Sequence, residues 1–151
     1  MRIRRISWAS GLGLSVVLAV FALVPQPEAD PGSEQQASSP GASAYLISPT
    51  DGATVSNPIV VRFGLHGMGI APAGVDKPGT GHHHLLIDSE LPPDNLPIPN
   101  DDQHRHYGGG QTEATLVLPP GKHSLQMILG DARHIPHDPP VLSERIQITV
   151  E

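Results

Sequence analysis

Hydrophobic side chains alternate with polar ones along the second two-thirds of this chain, and that period of two residues restricts the fold more than any other feature. In the segment PIVVRFGLHG, the apolar side chains that share one face are Ile59, Val61, Phe63 and Leu65. A strand directs successive side chains to opposite faces, whereas a helix repeats about every 3.6 residues. The chain also contains 17 prolines and 16 glycines, which interrupt long helices. We therefore predict an all-β domain.

The alternating segments are short, and turn sequences separate them. They cover residues 44–48, 53–55, 58–66, 82–88, 112–118, 123–130 and 141–150. About seven short strands in one small domain predict an immunoglobulin-like antiparallel β-sandwich, and a small antiparallel barrel is the alternative. The tight connection LPPGKH indicates that the segments on either side of it are consecutive antiparallel strands.

The start of the chain differs in composition from the rest. Residues 1–24 combine the basic start MRIRR with an apolar stretch, the pattern of a secretory signal peptide, for which we expect cleavage after Ala22 or Ala29. An uncleaved membrane anchor is the alternative, because the stretch is nearly long enough to cross a bilayer. Residues 25–43 predict a disordered linker, because Pro, Gly, Ser, Gln and Glu bury too little surface to offset the entropy of ordering. The folded domain is then residues 44–151.

A signal or anchor segment predicts that the protein is exported. We expect it to be periplasmic or secreted. If the apolar segment is retained, the domain is instead anchored in the inner membrane and faces the periplasm, and the membrane is contacted through that segment alone.

The composition excludes several classes of function. The chain has no cysteine, which excludes disulfides, blue-copper centres, iron–sulfur clusters and cysteine nucleophiles. Its net charge is −6 and it has no basic stripe, which argues against nucleic-acid binding. Neither a G-x-S-x-G elbow nor an H-E-x-x-H motif is present, so we predict that the domain is not an enzyme.

Histidine is the residue in excess, and all nine histidines follow the linker. In the predicted sandwich, the ends of strands 58–66 and 123–130 meet the starts of strands 82–88 and 112–118 at one pole. Only His123 lies at the other pole. The eight histidines expected to converge are His66, His82, His83, His84, His104, His106, His134 and His137.

Converging histidines predict a metal site, because neutral imidazole is the commonest metal ligand and suits Cu(II) and Zn(II). The predicted ligands are His82, His84, His104, His106, His134 and His137. His83 and Asp131 are in phase with inward-facing apolar residues, so we expect them to orient the ligand rings through hydrogen bonds. The predicted ion is copper or zinc, with copper preferred.

The same residues allow a second interpretation. In it, the domain is a non-catalytic structural or interaction module of the cell envelope, and its histidines only shape loops that meet a partner protein. The linker and the immunoglobulin-like pattern favour this interpretation, because such sandwiches often bind other proteins without catalysing a reaction. Histidine spacing alone does not decide between a metal ion and a protein partner.

Three long motifs, GHHHLLID, LPPGKHSLQMILGDARHIPHDPP and VLSERIQITV, resemble the bacterial family catalogued as domain of unknown function 4399. The resemblance extends from Tyr45 to Val150 and implies a small exported domain without an assigned activity. It implies no catalytic residue. The predicted site residues that fall within these motifs are His82, His83, His84, Asp131, His134 and His137.

Overall fold

The computed structural model describes residues 35–151, and within this range the chain forms strands and no helix. The strands are β1 (Ser43–Ser48), β2 (Thr54–Val55), β3 (Ile59–His66), β4 (Gly69–Ile70), β5 (Thr80–Ile87), β6 (His104–Tyr107), β7 (Glu113–Leu116), β8 (Gly121–Gly130) and β9 (Ile146–Val150). The predicted signal or anchor, residues 1–24, and the start of the predicted linker lie outside the described residues. Within the described range, no helix is long and apolar enough to span a membrane.

The strands form two sheets that share one core. The smaller sheet has the order β1-β3-β7, and the larger sheet has the order β2-β9-β8-β5-β4, with β6 also paired to β5. This arrangement confirms the predicted all-β sandwich rather than the alternative of a barrel. It is not purely antiparallel, because β2 pairs with β9 and β4 pairs with β5 in parallel. β7 pairs with β3, so the two strands that flank the LPPGKH connection lie in different sheets.

The core between the sheets consists of the apolar residues that alternate along the strands. Val61 of β3, Leu85 of β5 and Leu125 of β8 are completely buried. Burial of such a side chain contributes about 1.5–3 kcal/mol to the free energy of folding, so these alternating positions account for the stability of the sandwich.

Strand β5 is covered on both faces, and this sets the environment of the site. Leu85 packs in the core, whereas Leu86 on the opposite face packs with Ile98 and Ile128. Every residue of β5 after the first is buried. A strand buried on both faces does not show strict alternation of polarity, which explains the unbroken run HHHLLI.

The last part of the predicted linker is ordered against the domain. The backbone N–H of Ser38 donates to the carbonyl of Asp138 at 2.9 Å, and the N–H of Asp138 donates to the carbonyl of Gln36 at 2.9 Å. The side-chain amide of Gln35 donates to the carbonyl of Pro136 at 3.0 Å. The ordered domain therefore begins before its predicted start, because the loop after β8 supplies partners for this segment.

An ion pair links the start of β8 to the end of β5. Nδ1 of His123 lies 2.6 Å from Oδ2 of Asp88. Burial acts to lower the pKa of His123, but the hydrogen bond and charge of Asp88 outweigh it and the pKa is raised. Burial likewise acts to raise the pKa of Asp88, but hydrogen bonds from Ser124 and His123 outweigh it and that pKa is lowered.

We expect this ion pair to stabilise the fold most between the ordinary pKa values of its members, 3.8 for Asp88 and 6.5 for His123. Its contribution is lost as the pH rises through the raised pKa of His123, and also as the pH falls through the lowered pKa of Asp88. The substitution Asp88→Asn should therefore lower the pKa of His123, measured by NMR titration of its ring. An unchanged titration of His123 in this variant would contradict the assignment.

Candidate functional site

Strand register places three histidines on the face of the larger sheet that is turned away from the core. His82 and His84 are two residues apart on β5, so their side chains share a face. In the antiparallel pairing of β5 with β6, His84 stands opposite His106. Residues that are directly opposite have Cβ atoms about 5 Å apart, which brings the rings into contact.

The ligand atoms of these three rings converge. One ring nitrogen from each of His82, His84 and His106 lies within 4.8 Å of the others. The Nε2 atoms of His82 and His84 are 3.0 Å apart. Two ligands of one ion have nitrogens about 3–4 Å apart when each metal–nitrogen bond is about 2 Å. The Nε2 atoms of His82 and His84 therefore have the spacing of two ligands to one ion, and a ring nitrogen of His106 lies within 4.8 Å of theirs.

A fourth ring reaches the same place from the loop after β8. The ring centre of His134 lies 5.0 Å from that of His82 and 4.6 Å from that of His106. We refer to His82, His84, His106 and His134 as the histidine cluster. The sequence predicted all four as ligands, and the structure brings them together at one pole of the sandwich.

Several nitrogens of the cluster lack hydrogen-bond partners. His82 and His84 are completely buried, and the Nδ1 atom of each has no partner. Nε2 of His106 is also buried without a partner. An unpaired buried polar atom costs about 1–3 kcal/mol. Three such atoms lie close together here, so the cluster is a group of buried imidazole nitrogens without protein partners.

Burial also keeps three of these imidazoles neutral. Burial and then the neighbouring rings of His134 and His106, against the opposing effect of Asp131, lower the pKa of His82 to about 4. Burial and the other rings hold the pKa of His84 far below its ordinary value. Burial, followed by His134, lowers the pKa of His106. Neutral imidazole is the form that coordinates a metal ion.

Two glycines leave room for the rings of His84 and His106, and no pattern in the sequence identifies them. A Cβ on Gly130 would lie 2.9 Å from Nε2 of His84, and a Cβ on Gly108 would lie 2.3 Å from Nε2 of His106. Separations this short force one of the groups to move. Each glycine is within a few residues of a predicted ligand, but only the strand pairing shows which ring it faces.

The substitution Gly130→Ala is expected to displace the ring of His84 and to weaken Zn(II) binding roughly 10- to 100-fold, the range for residues that orient metal ligands. The backbone at Gly130 is outside the left-handed region, so alanine adds no backbone strain. Calorimetric titration with Zn(II) measures the effect. Gly109→Ala is the control, because the three atoms nearest to its added Cβ all belong to the side chain of Gln111 and none to a ring of the cluster. Equal affinities for the two variants would contradict this role of Gly130.

Asp131 shapes the loop that carries His134. Its buried carboxylate accepts hydrogen bonds from the backbone N–H groups of Arg133 at 2.8 Å and Ile135 at 3.0 Å. It also pairs with the guanidinium of Arg133 at 3.2 Å. Asp131 was predicted to orient a histidine ring by a hydrogen bond. In the structure these bonds go to the backbone on either side of His134, because the loop folds around the carboxylate.

His104 lies on the same face as the cluster but outside it. Its Nδ1 is 2.9 Å from Oδ1 of Asp101, and its Nε2 is 3.0 Å from Oγ of Ser89. Both ring nitrogens are therefore engaged by other groups. The predicted ligand role of His104 is not supported by its position, and the residue instead ties two loops to β6.

His137 is also outside the cluster. Its ring is completely buried, with Nε2 3.1 Å from the carbonyl oxygen of Thr80 and Nδ1 3.5 Å from the carbonyl oxygen of Leu129. These contacts attach the loop after β8 to the start of β5. The residue was predicted as a ligand because it lies three positions from His134, but the turn between them directs the two rings to different places.

The remaining two histidines of the predicted pole also lie apart from the cluster. His83 points into the core, as its phase predicted, and its ring centre is 5.2 Å from that of Phe63. Neither ring nitrogen of His83 has a hydrogen-bond partner, so it does not orient a ligand ring as expected. His66 is exposed at the end of β3.

No significant match was found among curated proteins or among solved structures. A family model described as Domain of unknown function (DUF4399) matches residues 61–151, a range that contains the whole histidine cluster. Because that range is more than half of the chain, the protein belongs to the family of domain of unknown function DUF4399.

Proposed function

We propose that this domain binds one divalent transition-metal ion, copper or zinc, through the histidine cluster. The observation that carries the proposal is the convergence of ring nitrogens from His82, His84 and His106 within 4.8 Å of one another. The unpaired Nε2 of His106 supports it, because a bound ion would give this buried nitrogen a partner.

The chemistry of the donors limits the ion. The chain has no cysteine, and the carboxylate of Asp131 is engaged by the backbone of its own loop. The site therefore offers imidazole nitrogen alone. Such donors suit Cu(II), Zn(II) and Ni(II), whereas Mg(II) and Ca(II) require oxygen ligands.

We place this activity outside the cytoplasm, in the periplasm or a secreted form. The support is the basic and then apolar composition of residues 1–24, with the membrane anchor as the alternative. In either case the domain acts as a binding protein without catalytic activity of its own.

The alternative, a structural module whose histidines only shape loops, describes part of the molecule well. His104 contacts Asp101 and Ser89 on neighbouring loops, and His137 attaches its own loop to the carbonyl of Thr80 in β5. This alternative does not account for the histidine cluster, whose buried nitrogens gain no partners from any loop. The two functions are therefore assigned to different histidines.

Calorimetric titration of the purified domain with Cu(II) and with Zn(II) at pH 7.5 tests the proposal. We expect saturable binding of one ion per chain. Absence of saturable binding for both ions would leave the structural module as the function of the domain.

A further inference from the structure

The four rings of the histidine cluster are nearly equidistant. The six distances between their centres are 4.8, 5.0, 5.0, 4.9, 5.9 and 4.6 Å. Four equidistant points define a tetrahedron. An imidazole bound at about 2 Å has its ring centre about 3 Å from the ion, so four tetrahedral imidazoles have centres about 5 Å apart. The cluster has these dimensions.

The ring at the fourth vertex belongs to His134, and its backbone is fixed on both sides. Its N–H donates to the carbonyl of Asp131 at 2.9 Å, and its carbonyl accepts from the N–H of Ile98 at 2.8 Å. Its φ is +69°, a conformation that residues other than glycine seldom adopt. The loop therefore holds this ring beside the three strand-borne rings before any ion arrives.

The loop after β4 connects the segment that carries His106 with the loop that carries His134. The N–H of Ala73 donates to the carbonyl of Gly108 at 2.8 Å, and the N–H of Gly74 donates to the carbonyl of Ala132 at 2.9 Å. Both acceptors are two positions from a histidine of the cluster. These backbone bonds fix the rim of the site and reduce the reorganisation that ion binding requires.

We infer that His134 supplies a fourth imidazole by turning a ring nitrogen toward the ion, which closes a tetrahedral site with no open coordination position. This inference rests on the proposed function. The geometry suits Zn(II), which accepts a tetrahedron, better than Cu(II), which prefers a tetragonal arrangement. Catalytic zinc sites keep one position for water or substrate, so a closed site holds its ion without using it in a reaction.

Co(II) is the probe for this inference, because its visible spectrum is intense in tetrahedral sites and weak in octahedral ones. We expect the Co(II)-loaded protein to have the intense spectrum and to be insensitive to added azide. In the variant His134→Gly, azide should change the spectrum, and free imidazole should restore it. Glycine is chosen because it adopts the positive φ of this position without strain. His104→Ala is the control and should behave as the unmodified protein.

A weak spectrum, or one that azide changes in the unmodified protein, would overturn the closed site. So would a His134→Gly spectrum identical to that of the unmodified protein. The variant His134→Asn, which also tolerates positive φ, replaces the glycine variant if the latter does not fold. These results are separate from the proposed function, which is tested by ion binding of the unmodified protein in the calorimetric titration.

Discussion

Replacing His82 and His84 together with leucine is expected to weaken Zn(II) or Cu(II) binding by more than about 100-fold. Substitution of a residue that only orients a metal ligand already lowers metal affinity about 10- to 100-fold. This double substitution removes two ligands. The metal-free variant should nevertheless be at least as stable as the unmodified protein. The hydrogen bond between the two rings is lost with both of its partners, and the two unpaired Nδ1 atoms are removed as well.

Two measurements check this prediction, metal affinity by calorimetry and free energy of unfolding by urea denaturation in the presence of a chelator. If the rings served only to stabilise the fold, the double variant would be clearly less stable. That result, or an affinity within tenfold of the unmodified protein, would contradict the assignment of both residues. The matched control is the residue between them, His83, which is equally buried on the same strand and points to the opposite face.

Replacing His83 with leucine is expected to stabilise the domain by about 1–2 kcal/mol at pH 7. Both ring nitrogens are buried without partners, each at a cost of about 1–3 kcal/mol. Loss of the ring contact with Phe63 offsets part of this gain, about 0.5–1.5 kcal/mol. Metal affinity should be unchanged, because this ring lies in the core and outside the cluster.

The stabilisation should grow as the pH falls. Burial lowers the pKa of His83 from 6.5 to about 4. Below pH 6.5, His83 therefore binds a proton in the unfolded chain but not in the folded protein. The free energy of unfolding consequently decreases as the pH falls toward 4. The variant has no histidine at this position and does not lose this stability. The difference in free energy of unfolding between the variant and the unmodified protein should therefore widen by about 3 kcal/mol from pH 6.5 to pH 4. Urea denaturation at several pH values measures it. A variant less stable than the unmodified protein at pH 7 would show that His83 has a stabilising partner.

The fold was predictable because it depends on local alternation. The period of two in β1, β3 and β8 identified the strands, and the sandwich architecture then followed from their number and order. β6 was not identified, because HRHY is short and polar, and its pairing with β5 depends on a distant partner. The ordered segment before β1 was missed for the same reason, since its hydrogen bonds come from the loop after β8.

The site was predictable only in part. The topology indicated that histidines from four separate segments approach one pole, and the structure brings those of three segments together there, as His82, His84, His106 and His134. The sequence did not separate His106 from His104, two residues away on the same face. What distinguishes them is contact with Asp101 and Ser89, which no local pattern reveals.

The most direct test of the metal site is NMR of the histidine ring nitrogens during titration with Zn(II), which is diamagnetic and leaves every ring visible. The account predicts that the nitrogen signals of His82, His84, His106 and His134 change together and saturate at one ion per chain. The rings of His66, His83, His104, His123 and His137 should keep their chemical shifts. Changes confined to these five rings, or no change in any ring, would contradict a metal site at this pole.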